Sequence, residues 1–125
     1  MNIIKQPFDE FLGFEYERVG PTKMRVTLPV RSLHVNSAGV IHGGIISSLV
    51  DVAMSNLLEA SDQGVQKAVT IDLHTTFIQG ARGAKLVAEA NVVKEGRTLL
   101  YADCLVMDEE GQIVARATGS FFIRQ

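Results

Sequence analysis

Apolar residues are spaced as in a helix near the N-terminus, and further along the chain they alternate with polar residues. Residues 5–13 predict a short amphipathic helix that is closed by Gly13. Its apolar side holds three residues, Phe8, Phe11 and Leu12. Alternation then predicts two strands, over residues 14–19 and 22–29, around a Gly-Pro turn.

One long apolar run interrupts the alternation. After a loop over residues 30–42, residues 43–60 predict a helix, and Gly64 is placed to take the left-handed conformation that stops helices. The helix is apolar on most sides, so it must be covered on most sides. Four residues form its one polar strip: Ser47, Ser48, Asp51 and Ser55. We expect this strip to face a cavity or a subunit boundary.

The rest of the chain predicts strands. Four segments alternate well, over residues 69–77, 85–94, 98–107 and 112–124. We expect consecutive strands to pair in antiparallel fashion. The whole pattern predicts an α+β fold in which a curved antiparallel sheet wraps around one long helix.

Length and composition narrow the possible classes of protein. The chain has 125 residues, which fit one domain over residues 1–125. Hydrophobic residues make up 46% and the formal net charge is −2, so we expect neither disorder nor a nucleic-acid partner. Cys104 is the only cysteine, which suits a reducing compartment. No apolar run approaches the roughly 20 residues of a membrane span, and no signal peptide pattern is present, so we expect a cytoplasmic protein that does not bind membranes.

Candidate chemistry is concentrated between Asn36 and Asp51. The sequence His42-Gly43-Gly44 lets a ligand approach the backbone closely, because glycine has no Cβ. The helix that follows offers unpaired amides to an oxygen that carries negative charge. Asp51 lies in an otherwise hydrophobic run, where an ionised group is costly without a partner or a function. We interpret the two features as the two halves of a catalytic site.

Helix geometry separates these two halves within one chain. Gly44 and Asp51 are seven residues apart, which is about 10.5 Å along a helix axis and too far for both to contact one carbonyl group. A second, antiparallel copy of the helix would bring Gly44 of one chain near Asp51 of the other. The spacing therefore predicts a homodimer with two equivalent sites.

The segment resembles the hotdog-fold acyl-CoA thioesterases of the phenylacetate-degradation (PaaI-like) type. Their motif is N-x-x-G-x-x-H-G-G-x-x-x-x-L-x-D, and the order of predicted elements is similar over nearly the whole chain. The chain fills every defined position, with Asn36, Gly39, His42, Gly43, Gly44, Leu49 and Asp51. The resemblance implies a hotdog fold and hydrolysis of an acyl- or aryl-coenzyme A thioester without a cofactor, coenzyme A being part of the substrate. It also implies a homodimer or a tetramer built of dimers.

The resemblance implies catalytic roles for four residues. The Gly44 amide would polarise the thioester carbonyl, and one preorganised donor of this kind contributes roughly 3–4 kcal/mol. Asp51 would act as general base on water or as nucleophile. Asn36 would orient the water or the carboxylate, and the Thr70 hydroxyl would support them.

Substrate-binding roles follow for a second group of residues. His42 and Gly43 would shape the turn that receives the thioester. Coenzyme A carries phosphates, so turn residues at strand ends are candidates for its nucleotide end, namely Arg82, Lys94, Arg97 and Thr98.

Simpler roles and other functions stay open at this point. Asp51 suits a paired structural acid, Asn36 suits a residue that stabilises its own turn, and Thr70 suits any strand. The three histidines show no metal-ligand spacing, so no metal site is expected. The main alternative function is a non-catalytic acyl-CoA-binding or sensing protein with the same pocket. A substrate held by a carrier protein, or a dehydratase or hydratase of the same fold, also remains open.

Overall fold

A computed structural model describes residues 5–125 of the chain. Two helices are present among them, α1 at Pro7–Leu12 and α2 at Gly43–Ser55, with a 3-10 turn at Ser32–His34. Six strands follow the chain in the order β1 (Glu15–Gly20), β2 (Lys23–Pro29), β3 (Ala68–Phe77), β4 (Lys85–Glu95), β5 (Leu99–Asp108) and β6 (Ile113–Ile123). Neither helix in this part of the chain is long and apolar enough to cross a membrane.

The six strands form one antiparallel sheet in the spatial order β1-β2-β4-β5-β6-β3. Helix α2 packs against every strand from β2 to β6, so the sheet curves around it. Leu49 and Met54 of α2 are fully buried against the concave face. Close packing needs small residues there, since a Cβ at Gly119 of β6 would lie 3.2 Å from Met54 Cε. The predicted hotdog fold is confirmed.

The expectation of consecutive pairing is wrong for β3. Strand β2 pairs with β4, from Lys23 opposite Asn91 to Pro29 opposite Lys85. Strand β3 instead pairs with β6 at the far edge of the sheet. The reason is α2, which lies between β2 and β3 in sequence and crosses the concave face before β3 begins.

The predicted end of the long helix is also wrong, because α2 stops at Ser55 rather than at residue 60. Arg18 Nη2 of β1 donates to the Asn56 carbonyl at 2.6 Å, and Asn56 Nδ2 donates to the Val52 carbonyl at 2.9 Å. These donors occupy carbonyl oxygens at the helix end. Gly64 does adopt a left-handed φ of 77°, but it does so in a separate turn.

Helix α1 buries a different face from the predicted one. Leu12 is buried as expected, whereas Phe8 and Phe11 are 55% and 69% exposed. Asp9 is buried in their place, at 4% exposure. The C-terminus of α1 is held by His34, whose ring Nε2 donates to the Leu12 carbonyl at 2.8 Å while Nδ1 accepts from the Arg31 amide. Docking of α1 therefore depends on polar contacts that its hydrophobic spacing does not indicate.

Candidate active site

The glycine pair begins α2 and leaves two backbone amides available. His42 precedes the helix with extended backbone, and its carbonyl accepts from the amides of Ile45 and Ile46. Within residues 5–125 the amides of Gly43 and Gly44 have no acceptor. A Cβ at Gly44 would meet nothing within 4 Å, so its amide borders open space. This helix start can therefore donate to a ligand oxygen.

Gly43 has a different reason to be glycine. A Cβ at Gly43 would lie 3.3 Å from the ring of Phe77, at the end of β3. The phenyl ring is half-exposed beside the helix start. A larger residue at position 43 would push this ring away from the open amides.

The Asn36 side chain is bound to its own loop. Its Oδ1 accepts from the amides of Ala38 at 2.9 Å and Val40 at 3.2 Å. Arg82 Nη1 donates to the carbonyl of Gly39 in the same loop at 2.9 Å. These contacts hold the loop that leads to the glycine pair. Within residues 5–125 Nδ2 of Asn36 makes no hydrogen bond, so this atom is available for a water or a substrate.

Asp51 is half-buried on α2 and borders a pocket of about 210 Å³. Its Oδ1 accepts a 2.7 Å hydrogen bond from Thr70 Oγ1 of β3. Three residues of the predicted polar strip line the pocket, so the strip does face a cavity. The lining residues are Gln6, Phe8, Asp9, Ser48, Asp51, Val52, Ser55, Asn56 and Gln66.

Burial raises the pKa of Asp51 above the ordinary aspartate value. The hydrogen bond from Thr70 lowers it in part, because that bond favours the ionised form, and the negative charge of Asp9 raises it further. The net rise makes Asp51 a stronger base than an exposed carboxylate. A base of this kind suits proton removal from water near neutral pH.

The candidate residues fall at two opposite ends of one chain. Gly44 and Arg82 lie at the end of the sheet where β3 finishes, close to Phe77. Asp51 and Thr70 lie near the start of β3. The turn after β4 is at this second end, because the Thr98 carbonyl accepts from Ile123, which is paired with Ala68. Arg97 and Thr98 of that turn and Lys94 near the end of β4 are three exposed candidates.

Sequence reasoning missed part of the pocket around Asp51. Gln6 and Asp9 of the α1 region and Gln66 before β3 line it. Tyr16 of β1 holds Asp9, with its hydroxyl donating to Asp9 Oδ2 at 2.5 Å. No pattern in the sequence indicates these residues, because the docking of α1 beside α2 brings them together.

A larger open depression of about 750 Å³ lies on the outer face of the sheet and is separate from Asp51. It is bordered by residues of β3, β4, β5 and β6, including His74, Asp103 and Arg116. No group of three or more His, Cys, Asp or Glu residues within the described part of the chain could hold a metal ion.

Comparison with known proteins identifies the class. Residues 38–115 match the family model of the Thioesterase superfamily, and the chain belongs to this superfamily. It is 30% identical over 112 residues to acyl-coenzyme A thioesterase 13 of Homo sapiens, covering 87% of this chain and 79% of that protein. The match to a curated thioesterase and the family model together define a thioester hydrolase.

Two solved structures resemble the chain along nearly its whole length. The BH2602 protein from Bacillus halodurans, solved with CoA, has a TM-score of 0.85 and 29% identity, covering 96% of this chain and 80% of that one. The phenylacetic acid degradation protein PaaI from Thermus thermophilus, solved as a mutant, has a TM-score of 0.80 and 28% identity, covering 96% and 100%. The PaaI-like resemblance stated from the motif is confirmed.

Proposed function

We propose that this thioester hydrolase cleaves acyl- or aryl-coenzyme A to the free acid and coenzyme A, with Asp51 as its base. The observation that carries the proposal is the half-buried Asp51 carboxylate in a polar pocket, bound on one oxygen by Thr70. Burial raises the pKa of this carboxylate, as general-base catalysis requires. The acyl-CoA thioesterase relative and the CoA-bound structural neighbour support coenzyme A as part of the substrate.

The reaction needs only water and groups of the protein. Asp51 takes a proton from a water molecule, and the water oxygen attacks the thioester carbon. Negative charge then develops on the carbonyl oxygen, which accepts a hydrogen bond from the Gly44 amide. Collapse of the intermediate expels coenzyme A as the thiolate. Direct attack by Asp51 is the alternative path: it expels the coenzyme A thiolate and forms a mixed anhydride between the acyl group and Asp51, which water then hydrolyses to the free acid and the Asp51 carboxylate.

We propose that the site is shared between two copies of the chain. Strand β3 lies at an edge of the sheet and has ten residues, so its outer backbone groups have no strand partner within residues 5–125. Val69, Ile71 and Phe77 of this strand are 46%, 55% and 50% exposed. Antiparallel pairing of β3 with its copy would cover these side chains and extend the sheet across a two-fold axis.

The same two-fold axis would unite the separated candidate residues. It reverses the direction of one chain, so the end that carries Gly44 and Arg82 meets the end of the other chain that carries Asp51, Thr70 and Arg97. Each site then holds an amide donor, a base and cations from two turns for the phosphates of coenzyme A. We further propose that two such dimers form a tetramer and that the enzyme acts in the cytoplasm, where the lone buried thiol of Cys104 stays reduced.

The test is a panel of aryl-, short- and medium-chain acyl-CoA thioesters, assayed by thiol release with Asp51→Asn as the comparison. We expect kcat to fall at least about 100-fold in this variant, since the amide cannot take a proton. Acyl-CoA binding should persist because the shape of the site is kept. Asp72→Asn is the matched control, because Asp72 is an exposed carboxylate of β3 that is bound by Ser120.

Each contrary result has a distinct meaning. Full activity in Asp51→Asn would show that the carboxylate is structural. Tight acyl-CoA binding without thiol release by the parent would favour a binding or sensing protein. Thiol release from an acylated carrier protein alone would replace coenzyme A by that carrier.

A further inference from the structure

A second carboxylate borders the pocket of Asp51. Asp9 of α1 is only 4% exposed, and its Oδ2 accepts from the Tyr16 hydroxyl at 2.5 Å and from the Gln6 amide at 3.3 Å. Its other oxygen, Oδ1, accepts no hydrogen bond from residues 5–125. Asp9 is thus held firmly by one oxygen while it borders the pocket.

No cation borders this pocket among the residues that the structure describes. Asp9 of α1 and Ser48 and Ser55 of α2 line the pocket. The Thr70 hydroxyl of β3 donates to Asp51. The two carboxylates therefore share the pocket of one chain with no cation from residues 5–125. Like charges in a partly buried site interact strongly, because little water screens them.

We propose that Asp9 is a positioning residue of the hydrolytic site, whose negative charge strengthens the hold of Asp51 on the proton that it takes from water. Asp9 contacts neither the water nor the thioester in this role, and it acts only through Asp51. The direction agrees with the raised pKa of Asp51, to which the charge of Asp9 contributes. This inference rests on the proposed function, in which Asp51 is the base.

The test compares the pH dependence of kcat/KM in the parent and in Asp9→Asn. The amide keeps the shape and can still accept from Tyr16 and Gln6, so only the charge is lost. Hydrolysis needs ionised Asp51 and falls as pH drops through its pKa. Without the charge of Asp9 that pKa falls, so the acid limb should move to lower pH by about 0.5 unit or more. On the plateau the weaker base should lower kcat by about two-fold, with KM unchanged.

Two controls separate this effect from structural damage. Glu10→Gln removes one charge from the exposed side of the same helix and should leave the acid limb unmoved. Tyr16→Phe removes the hydroxyl that holds Asp9 but keeps the carboxylate, so its acid limb should stay closer to that of the parent than the limb of Asp9→Asn does. An acid limb that is equal in Asp9→Asn and the parent would overturn the inference.

A measurement on the parent keeps the inference testable if Asp9→Asn does not fold. The carboxyl ¹³C resonance of Asp51 should titrate above the ordinary aspartate pKa, because burial and the charge of Asp9 both raise the pKa of Asp51. A midpoint at or below the ordinary aspartate pKa would overturn the inference. Retention of hydrolysis by Asp51→Asn would overturn the proposed function instead, so the two failures are distinguishable.

Discussion

At the residue scale, Thr70 opposes the effects that strengthen Asp51 as a base. Its hydroxyl donates to Asp51 Oδ1 at 2.7 Å and lowers the pKa that burial and Asp9 raise. Thr70→Val removes this donor and places a methyl group beside the carboxylate, so the ionised form loses stabilisation. We expect the acid limb of kcat/KM to move to higher pH by about 0.5–1 unit, opposite in sign to the shift for Asp9→Asn.

The conservative variant Thr70→Ser tests whether the hydroxyl is the cause. It restores a donor at the same position, so its pH profile should return to that of the parent. A shift in Thr70→Ser equal to that in Thr70→Val would assign the effect to strand packing. An unmoved acid limb in both variants would show that the hydrogen bond does not tune Asp51.

At the element scale, the C-terminus of α2 is stabilised by a cation from the edge of the sheet. Arg18 Nη2 of β1 donates to the carbonyls of Asn56 and Leu57 at 2.6 and 3.4 Å. A cation at this end also interacts favourably with the helix dipole. Arg18→Met keeps the apolar stem but leaves these carbonyls without a charged donor, and we expect the free energy of unfolding to fall by about 1–3 kcal/mol.

Urea denaturation at one fixed protein concentration measures this loss, with Arg25→Met as the matched control. Arg25 of β2 pairs with Glu89 at 2.7 Å and with Glu17 at 3.3 Å on the exposed face of the sheet. Exposed ion pairs contribute little, so this control should lose less than about 1 kcal/mol. Equal losses in the two variants would contradict a special role for Arg18 at the helix end.

At the scale of the whole molecule, a shared site predicts complementation between two inactive variants. Asp51→Ala removes the base, and Gly44→Pro removes the amide donor at a position in the first helical turn that tolerates proline. In a mixed dimer one site holds both lesions and the other holds neither. After full exchange of an equimolar mixture, about half of the dimers are mixed, and activity should return to about a quarter of the parental value.

Mixing Asp51→Ala with Asp51→Asn is the control, since every site of that dimer lacks the base. Subunit exchange itself is followed by mass spectrometry of differently tagged chains. Demonstrated exchange without recovered activity would contradict a site that is shared between two chains.

The order of residues along the chain indicates which segments form helices and strands, and it indicates the two candidate halves of the site. Alternation marks six strands because the inward and outward faces of a strand are occupied by successive residues. The glycine pair stands out because two flexible residues begin a helix. Asp51 stands out because it is a charged residue in an apolar run. All of these signals lie between residues that are close along the chain.

Contacts between distant residues settle which strands pair, where α2 ends and what surrounds Asp51. The partner of β3 is β6, the donor at the end of α2 is Arg18, 38 residues away, and the second carboxylate of the pocket is Asp9 of α1. Hydrophobic periodicity indicates only whether a side chain points into the core or toward solvent. It does not indicate which strand or helix packs against that side chain. The choice of partner therefore belongs to the tertiary structure, because these contacts exist only once the sheet has curved around the helix.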